Sequence, residues 1–132
     1  MPKSDLELAA EGARANAYAP YSGFRVGAAV LTRSGKIFTG ANVENASLGL
    51  TICAERVAIA AAVCGGEKSL VSIAISTEGT EPAVPCGACR QVMSEFNPAL
   101  EISSTTASGK RDEFKLNDLL PHANQGISLK HV

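Results

Sequence analysis

The chain has 132 residues, enough for one domain with its own core and short of what two ordinary domains need. At 45% hydrophobic and 19% charged it has the makeup of a folded globular protein, not of a disordered or fibrous one. Twelve basic residues scattered among thirteen acidic ones give a net charge of −1, and aromatics are only 5%; this argues against a surface for long nucleic acid, which needs clustered cations and stacking rings. The longest uncharged apolar stretch, Val57 to Gly66, is far short of a membrane span. Met1-Pro2-Lys3 leads into an acidic amphipathic pattern, not into the apolar core of a signal peptide. A cytoplasmic location is expected, where four cysteines are ligands, nucleophiles or core residues before they are disulfides.

In chain order, Ser4-Asp5-Leu6-Glu7 has the form of a capping box and opens an Ala-rich helix to about Tyr18. Ala19-Pro20-Tyr21-Ser22-Gly23 turns the chain into a strand over Phe24–Thr32, and Ser34-Gly35 returns it as a second strand, Lys36–Ala41. An irregular polar segment, Asn42–Thr51, precedes a helix over Cys53–Cys64 that Gly65-Gly66 stops. Leu70–Ser76 reads as a buried strand, 77–85 as a Pro-containing loop, and Cys86–Phe96 as a helix. Strands over Leu100–Thr106 and Glu113–Leu116 and a helical turn over Asn117–Leu120 complete the set. Such alternation gives an α/β layered arrangement around one sheet.

Two segments carry chemistry: Cys53-Ala54-Glu55-Arg56 and Pro85-Cys86-Gly87-Ala88-Cys89-Arg90-Gln91. Both put cysteine where a helix begins. Free backbone N–H groups and the helix dipole favour negative charge there, so these thiols ionise more readily than interior ones. Cys86 and Cys89 can grip one metal ion together, with Cys53 as third ligand. Cys64 lies eleven residues beyond Cys53, about 16 Å along a helix, too far to join it; it reads as a small core residue. Three protein ligands leave one position for water, the catalytic arrangement of zinc, whereas closed structural sites have four. Glu55 is then the carboxylate that takes and passes on the water's proton. Residues two apart in a helix do not face each other, so Cys53 must stand at the helix entry with Glu55 turned back toward the metal. Zinc with three thiolates carries −1, and Arg56, in preference to Arg90, is expected to offset it by hydrogen-bonding a thiolate.

Each residue also has a plainer reading. Cys86-x-x-Cys89 could be a redox pair or part of a structural zinc site, and Glu55 a carboxylate serving the helix dipole. Asn42 and Glu44 could be turn residues, and Phe24 a core aromatic.

The two cysteine segments resemble the small, homotetrameric, zinc-dependent members of the cytidine and deoxycytidylate deaminase family. The zinc-deaminase signature, with a Glu as general acid and base, is a general one. The resemblance extends over Ala19-Pro20-Tyr21-Ser22-Gly23-Phe24-Arg25-Val26-Gly27-Ala28-Ala29, over Gly40-Ala41-Asn42-Val43-Glu44-Asn45 and, more loosely, over Leu119-Leu120-Pro121. It implies a single α/β/α domain over residues 1–132, with a mixed sheet flanked by helices and a loose tail from about 124. It further implies a hydrolase with one Zn2+ per chain on Cys53, Cys86 and Cys89, and a homotetramer whose subunits share their active sites. Activated water would attack C4 of cytidine or 2′-deoxycytidine, Glu55 would carry the proton, and uridine or 2′-deoxyuridine plus ammonia would leave, as in pyrimidine salvage. Asn42 and Glu44 match a ribose-binding pair, Phe24 a residue near the base, and the Ala54 backbone a contact to the ring. Leu48 and Asn124 stand where relatives commonly carry aromatics of the pocket. A deaminase of a modified cytosine nucleoside or nucleoside antibiotic is therefore the alternative within the class. A non-catalytic zinc module is the alternative outside it.

Overall fold

The structure, a computed structural model, describes residues 2–123. Asn124 and the tail expected from about that position lie outside the described residues. Helix α1 (Asp5–Ala13) opens with the capping box: the Ser4 hydroxyl accepts from Glu7 N at 3.2 Å, and the Glu7 carboxylate accepts from Ser4 N at 2.9 Å. It ends earlier than the Ala-rich pattern suggests. After a 3₁₀ turn over Arg14–Asn16, Tyr18 N donates to Asn42 O and Glu44 N to Tyr18 O, both at 2.9 Å, so the chain is drawn into an extended bridge instead.

Strands β1 (Val26–Thr32) and β2 (Ile37–Ala41) form the hairpin, with Gly35 at φ +91° in its turn. β1 begins two residues later than its composition suggests, because the Asn42 side chain takes the hydrogen bonds a ladder would make. Its Oδ1 accepts from Val26 N and its Nδ2 donates to Phe24 O, each at 2.9 Å. Helix α2 (Ala54–Cys64), strand β3 (Leu70–Thr77), helix α3 (Gly87–Phe96), strands β4 (Glu101–Thr106) and β5 (Arg111–Lys115) and the single turn α4 (Leu116–Leu119) follow. The sheet runs β2-β1-β3-β4-β5, antiparallel except for the β3–β4 pair that α3 connects. It is a mixed sheet with helices on both faces, an α/β layered fold.

Alternation along the strands sorts the two faces. Ala28, Val30, Ile73, Ile75 and Ile102 point to a core shared with Ala58, Ile59 and Ala62 of α2 and with Cys89 and Met93 of α3. Ala29 and Ala74 point the other way, against Ala10 of α1. Glycine lets both layers approach closely. A Cβ at Gly27 would lie 2.0 Å from Ala10 O, and one at Gly40 2.4 Å from Ala58 N. Cys64, read as a core residue, is exposed instead: it closes the last turn of α2, outside the stripe of Ala58, Ile59 and Ala62. The consequence for the site is positional. α2 and α3 lie on the same side of the sheet, packed against each other, with Cys53 and Cys86 as their N-caps.

Candidate metal centre and active site

Cys53 caps α2 from extended backbone (φ −72°, ψ 153°), and Cys86 does the same for α3 (φ −66°, ψ 167°). Cys89 stands one turn into α3 and is buried. The three sulfurs lie within 4.8 Å of one another, with Cys53–Cys86 at 3.9 Å and Cys86–Cys89 at 3.4 Å. Ligands about 2.3 Å from one zinc ion in tetrahedral directions lie about 3.8 Å apart. The donor set and its spacing therefore fit a single zinc ion, and Cys64 is no part of the cluster.

The electrostatics are those of thiols crowded around one point. Cys53 is pulled down to about 5, first by a hydrogen bond from the Cys89 thiol and then by the Arg56 guanidinium and Cys86. Cys89 is pushed up, first by the Cys53 thiolate it donates to and then by burial. Arg56 Nη2 lies 3.6 Å from Cys53 Sγ and 3.5 Å from Thr51 O. Arg90 is turned elsewhere: its Nε donates to Pro85 O at 2.7 Å and its Nη1 to Leu119 O at 3.0 Å. It ties the segment entering α3 to α4, a role its sequence position gives no sign of.

Glu55, in the first turn of α2, is 6% exposed. Burial raises its pKa above the ordinary carboxylate value, and the Cys53 charge raises it further. Cys89 and Glu55 each shift the other's pKa, so the Glu55 carboxylate stands beside the sulfur cluster. The segment entering α2 is bridged to the Tyr18–Val26 segment, Ile52 pairing with Val43 and Val43 with Tyr18. Glu44 Oε1 accepts from Tyr21 N and Ser22 N, both at 3.0 Å, and Oε2 from the Ser22 hydroxyl. Phe24 is exposed, its ring against the Gly79 backbone, and the adjacent Arg25 pairs with Glu78 at 2.8 Å. Leu48 begins a 3₁₀ turn over Leu48–Leu50 and is 76% exposed.

A family model described as the cytidine and deoxycytidylate deaminase zinc-binding region matches residues 3–105. The chain belongs to this deaminase family. A cytidine deaminase of Halalkalibacterium halodurans is 47% identical over 124 residues, covering 93% of this chain and 94% of its own. A probable cytidine deaminase of Dictyostelium discoideum is 54% identical over 100 residues, 73% of this chain and 68% of its own. Among solved structures, the cytidine deaminase of Burkholderia pseudomallei superposes with a TM-score of 0.87 at 48% identity, covering 92% of this chain and 98% of that one.

Within this deaminase fold, the sequence brings together what lies far apart along the chain. Cys53 and Cys86, 33 positions apart, meet because α2 and α3 start side by side. Asn42 and Glu44 stand on the segment between β2 and α2, each already engaged by the Tyr21–Val26 backbone. Sequence reasoning missed Ser22 altogether. Its one signal was position, beside the only glycine of a Pro-Tyr-Ser-Gly turn.

Proposed function

We propose that this chain hydrolyses the exocyclic 4-amino group of cytidine and 2′-deoxycytidine, releasing uridine or 2′-deoxyuridine and ammonia. The observation that carries the reading is a three-sulfur cluster with a buried carboxylate turned toward it. Cys53, Cys86 and Cys89 would hold a zinc ion, which when bound lowers the pKa of a water molecule toward neutrality. The remaining work falls to the chain's own side chains. Glu55 takes a proton from the attacking water, delivers it to N3 of the ring and carries the second to the departing amine. Water adds at C4, the C4–N bond breaks and ammonia leaves, with no change in oxidation state. A carboxylate whose burial raises its pKa is a stronger base than an exposed one, which suits taking the water's proton and passing it on. Arg56 would offset the excess charge of three thiolates, a role its 3.6 Å approach to Cys53 supports. The Ala54 backbone and Phe24 would border the base, and Asn42 and Glu44 the sugar.

The proposal includes one domain per chain, assembled as a homotetramer with shared sites. Leu48 and Leu50, 76% and 65% exposed, and Ile52 beside them form an apolar segment next to the site that suits burial by another subunit. It also includes a cytoplasmic setting and a place in pyrimidine salvage. No helix among the described residues is long and apolar enough to cross a membrane, and a reducing compartment keeps these thiols free to bind metal.

The decisive measurement is cytidine deamination followed by ammonia release, with zinc quantified per chain. One zinc ion per active chain is expected. Glu55→Gln should retain the zinc and lose turnover by at least a thousandfold. A Glu55→Gln variant that deaminates at the native rate, or an active protein without metal, would overturn the reading.

A further inference from the structure

The Ser22 hydroxyl is the junction of two hydrogen bonds that no catalytic assignment uses. It donates its one proton to Glu44 Oε2 and accepts from Phe24 N at 3.0 Å. The turn holding it is closed by Gly23 N donating to Ala19 O at 3.0 Å, with Gly23 at φ +70°. Tyr21 N and Ser22 N both converge on Glu44 Oε1. The carboxylate is thus seated in the turn by three donors.

Counting lone pairs shows what this leaves. A carboxylate offers about four acceptor positions. Tyr21 N and Ser22 N fill the two on Oε1, and the Ser22 hydroxyl fills one on Oε2. Among the described residues, one position on Oε2 stays open. Asn42 is half used in the same way: Oδ1 takes Val26 N and Nδ2 gives one proton to Phe24 O. One amide proton and one oxygen lone pair remain without a partner among the described residues. Together the two side chains present one donor and two acceptors, which complements a pair of neighbouring sugar hydroxyls, each able to give and to take.

We propose that Ser22 is a positioning residue for the sugar: its hydroxyl fixes which Glu44 lone pair meets the ligand, and through the Phe24 N–H it ties that choice to the segment leading into β1. This rests on the reading of Asn42 and Glu44 as the sugar-binding pair. Without the hydroxyl, Oε2 has two open positions and less to stop it turning, while water takes over the exposed Phe24 N–H. Ser22 is exposed, so its truncation leaves no cavity.

The test is steady-state kinetics of the zinc-loaded enzyme on cytidine and on 2′,3′-dideoxycytidine, which lacks the neighbouring 2′ and 3′ hydroxyls and keeps the 5′ one. The variants are Ser22→Ala, Ser22→Thr, Glu44→Gln and the Ser22→Ala/Glu44→Gln double. Ser22→Ala should lower kcat/KM on cytidine about tenfold, the size of one hydrogen bond to a charged group. The loss should fall mainly in KM, with the dideoxy substrate little changed. Ser22→Thr, which keeps the hydroxyl, should restore most of it, and in the Glu44→Gln background Ser22→Ala should add little. Native cytidine kinetics in Ser22→Ala alongside an impaired Glu44→Gln would sink the Ser22 proposal and leave the sugar pair standing. Equal losses on both substrates, or losses that multiply in the double variant, would sink it too. Native cytidine kinetics in Glu44→Gln would instead remove the sugar pair, and the proposal with it.

Discussion

Arg56 is the residue whose contribution can be separated from the metal ligands. Three thiolates around a divalent ion leave one negative charge, which weakens the ion's pull on water, and a guanidinium close to one sulfur offsets part of it. Arg56 Nη2 is 3.6 Å from Cys53 Sγ, and its buried Nε has no hydrogen-bond partner among the described residues. Its fixed charge is held there with a donor still to satisfy. Arg56→Gln keeps much of the side-chain volume and removes the charge. Turnover should fall about tenfold, consistent with about 1.4 kcal/mol of lost electrostatic support, and zinc should be stripped faster during dialysis against a chelator. Arg90→Gln should leave the rate of zinc loss unchanged, because Arg90 bonds Pro85 O and Leu119 O and not the sulfurs. Equal zinc loss from both variants would return the charge balance to the helix dipoles.

The site is held by elements more than by loops, and Gly40 shows how tightly. A Cβ there would come within 2.4 Å of Ala58 N and 2.8 Å of Ala54 O. Backbone cannot yield as a flexible side chain does, so Gly40→Ala must push α2 off the sheet and carry Cys53 and Glu55 with it. A loss of about 2–3 kcal/mol is expected, a fall in melting temperature of about 10 °C, together with reduced zinc per chain. Gly12→Ala is the contrasting case. Gly12 lies inside α1 with nothing within 4 Å of the added methyl. Alanine should therefore raise stability by about 0.5–1 kcal/mol. Thermal unfolding of the two variants checks both.

What could be read at this scale follows from the range of the interactions. The helix starts at Ser4, Cys53 and Cys86 are local signals, and the sulfur cluster follows from placing two such starts together. Where α1 stops and where β1 begins were not legible. Both are decided by Asn42 and Glu44, which reach back 16 to 26 positions to bond Tyr18, Phe24 and Val26. Leu48–Leu50 could not be told from loop, since one 3₁₀ turn has no periodicity to detect.

Over the whole molecule, one ion pair spans nearly the full sequence and was invisible in it. Glu7 of α1 accepts from Arg111 of β5 at 2.7 and 2.8 Å and from the Ser103 hydroxyl of β4 at 2.6 Å. The same carboxylate closes the capping box, so the first helix is fastened to the last two strands through one side chain. Glu7 is 5% exposed, and the Arg111 hydrogen bonds hold its pKa down at about 2 against an ordinary 4.5. Because the folded value lies below the unfolded one, the pair stabilises the fold fully above about pH 4.5 and loses its effect as pH falls through 2. A depression of that size corresponds to about 3 kcal/mol at neutral pH. Glu7→Gln should therefore lower the urea midpoint clearly at pH 7. The gap to the native chain should narrow steadily between pH 4.5 and pH 2, where the native carboxylate is itself protonated. Zinc must be followed in parallel, since acid also protonates the thiolates, and the comparison is best made on metal-free protein of both kinds. A gap that stayed constant with pH would mean that Glu7 acts through packing and its helix cap, not through its charge on Arg111.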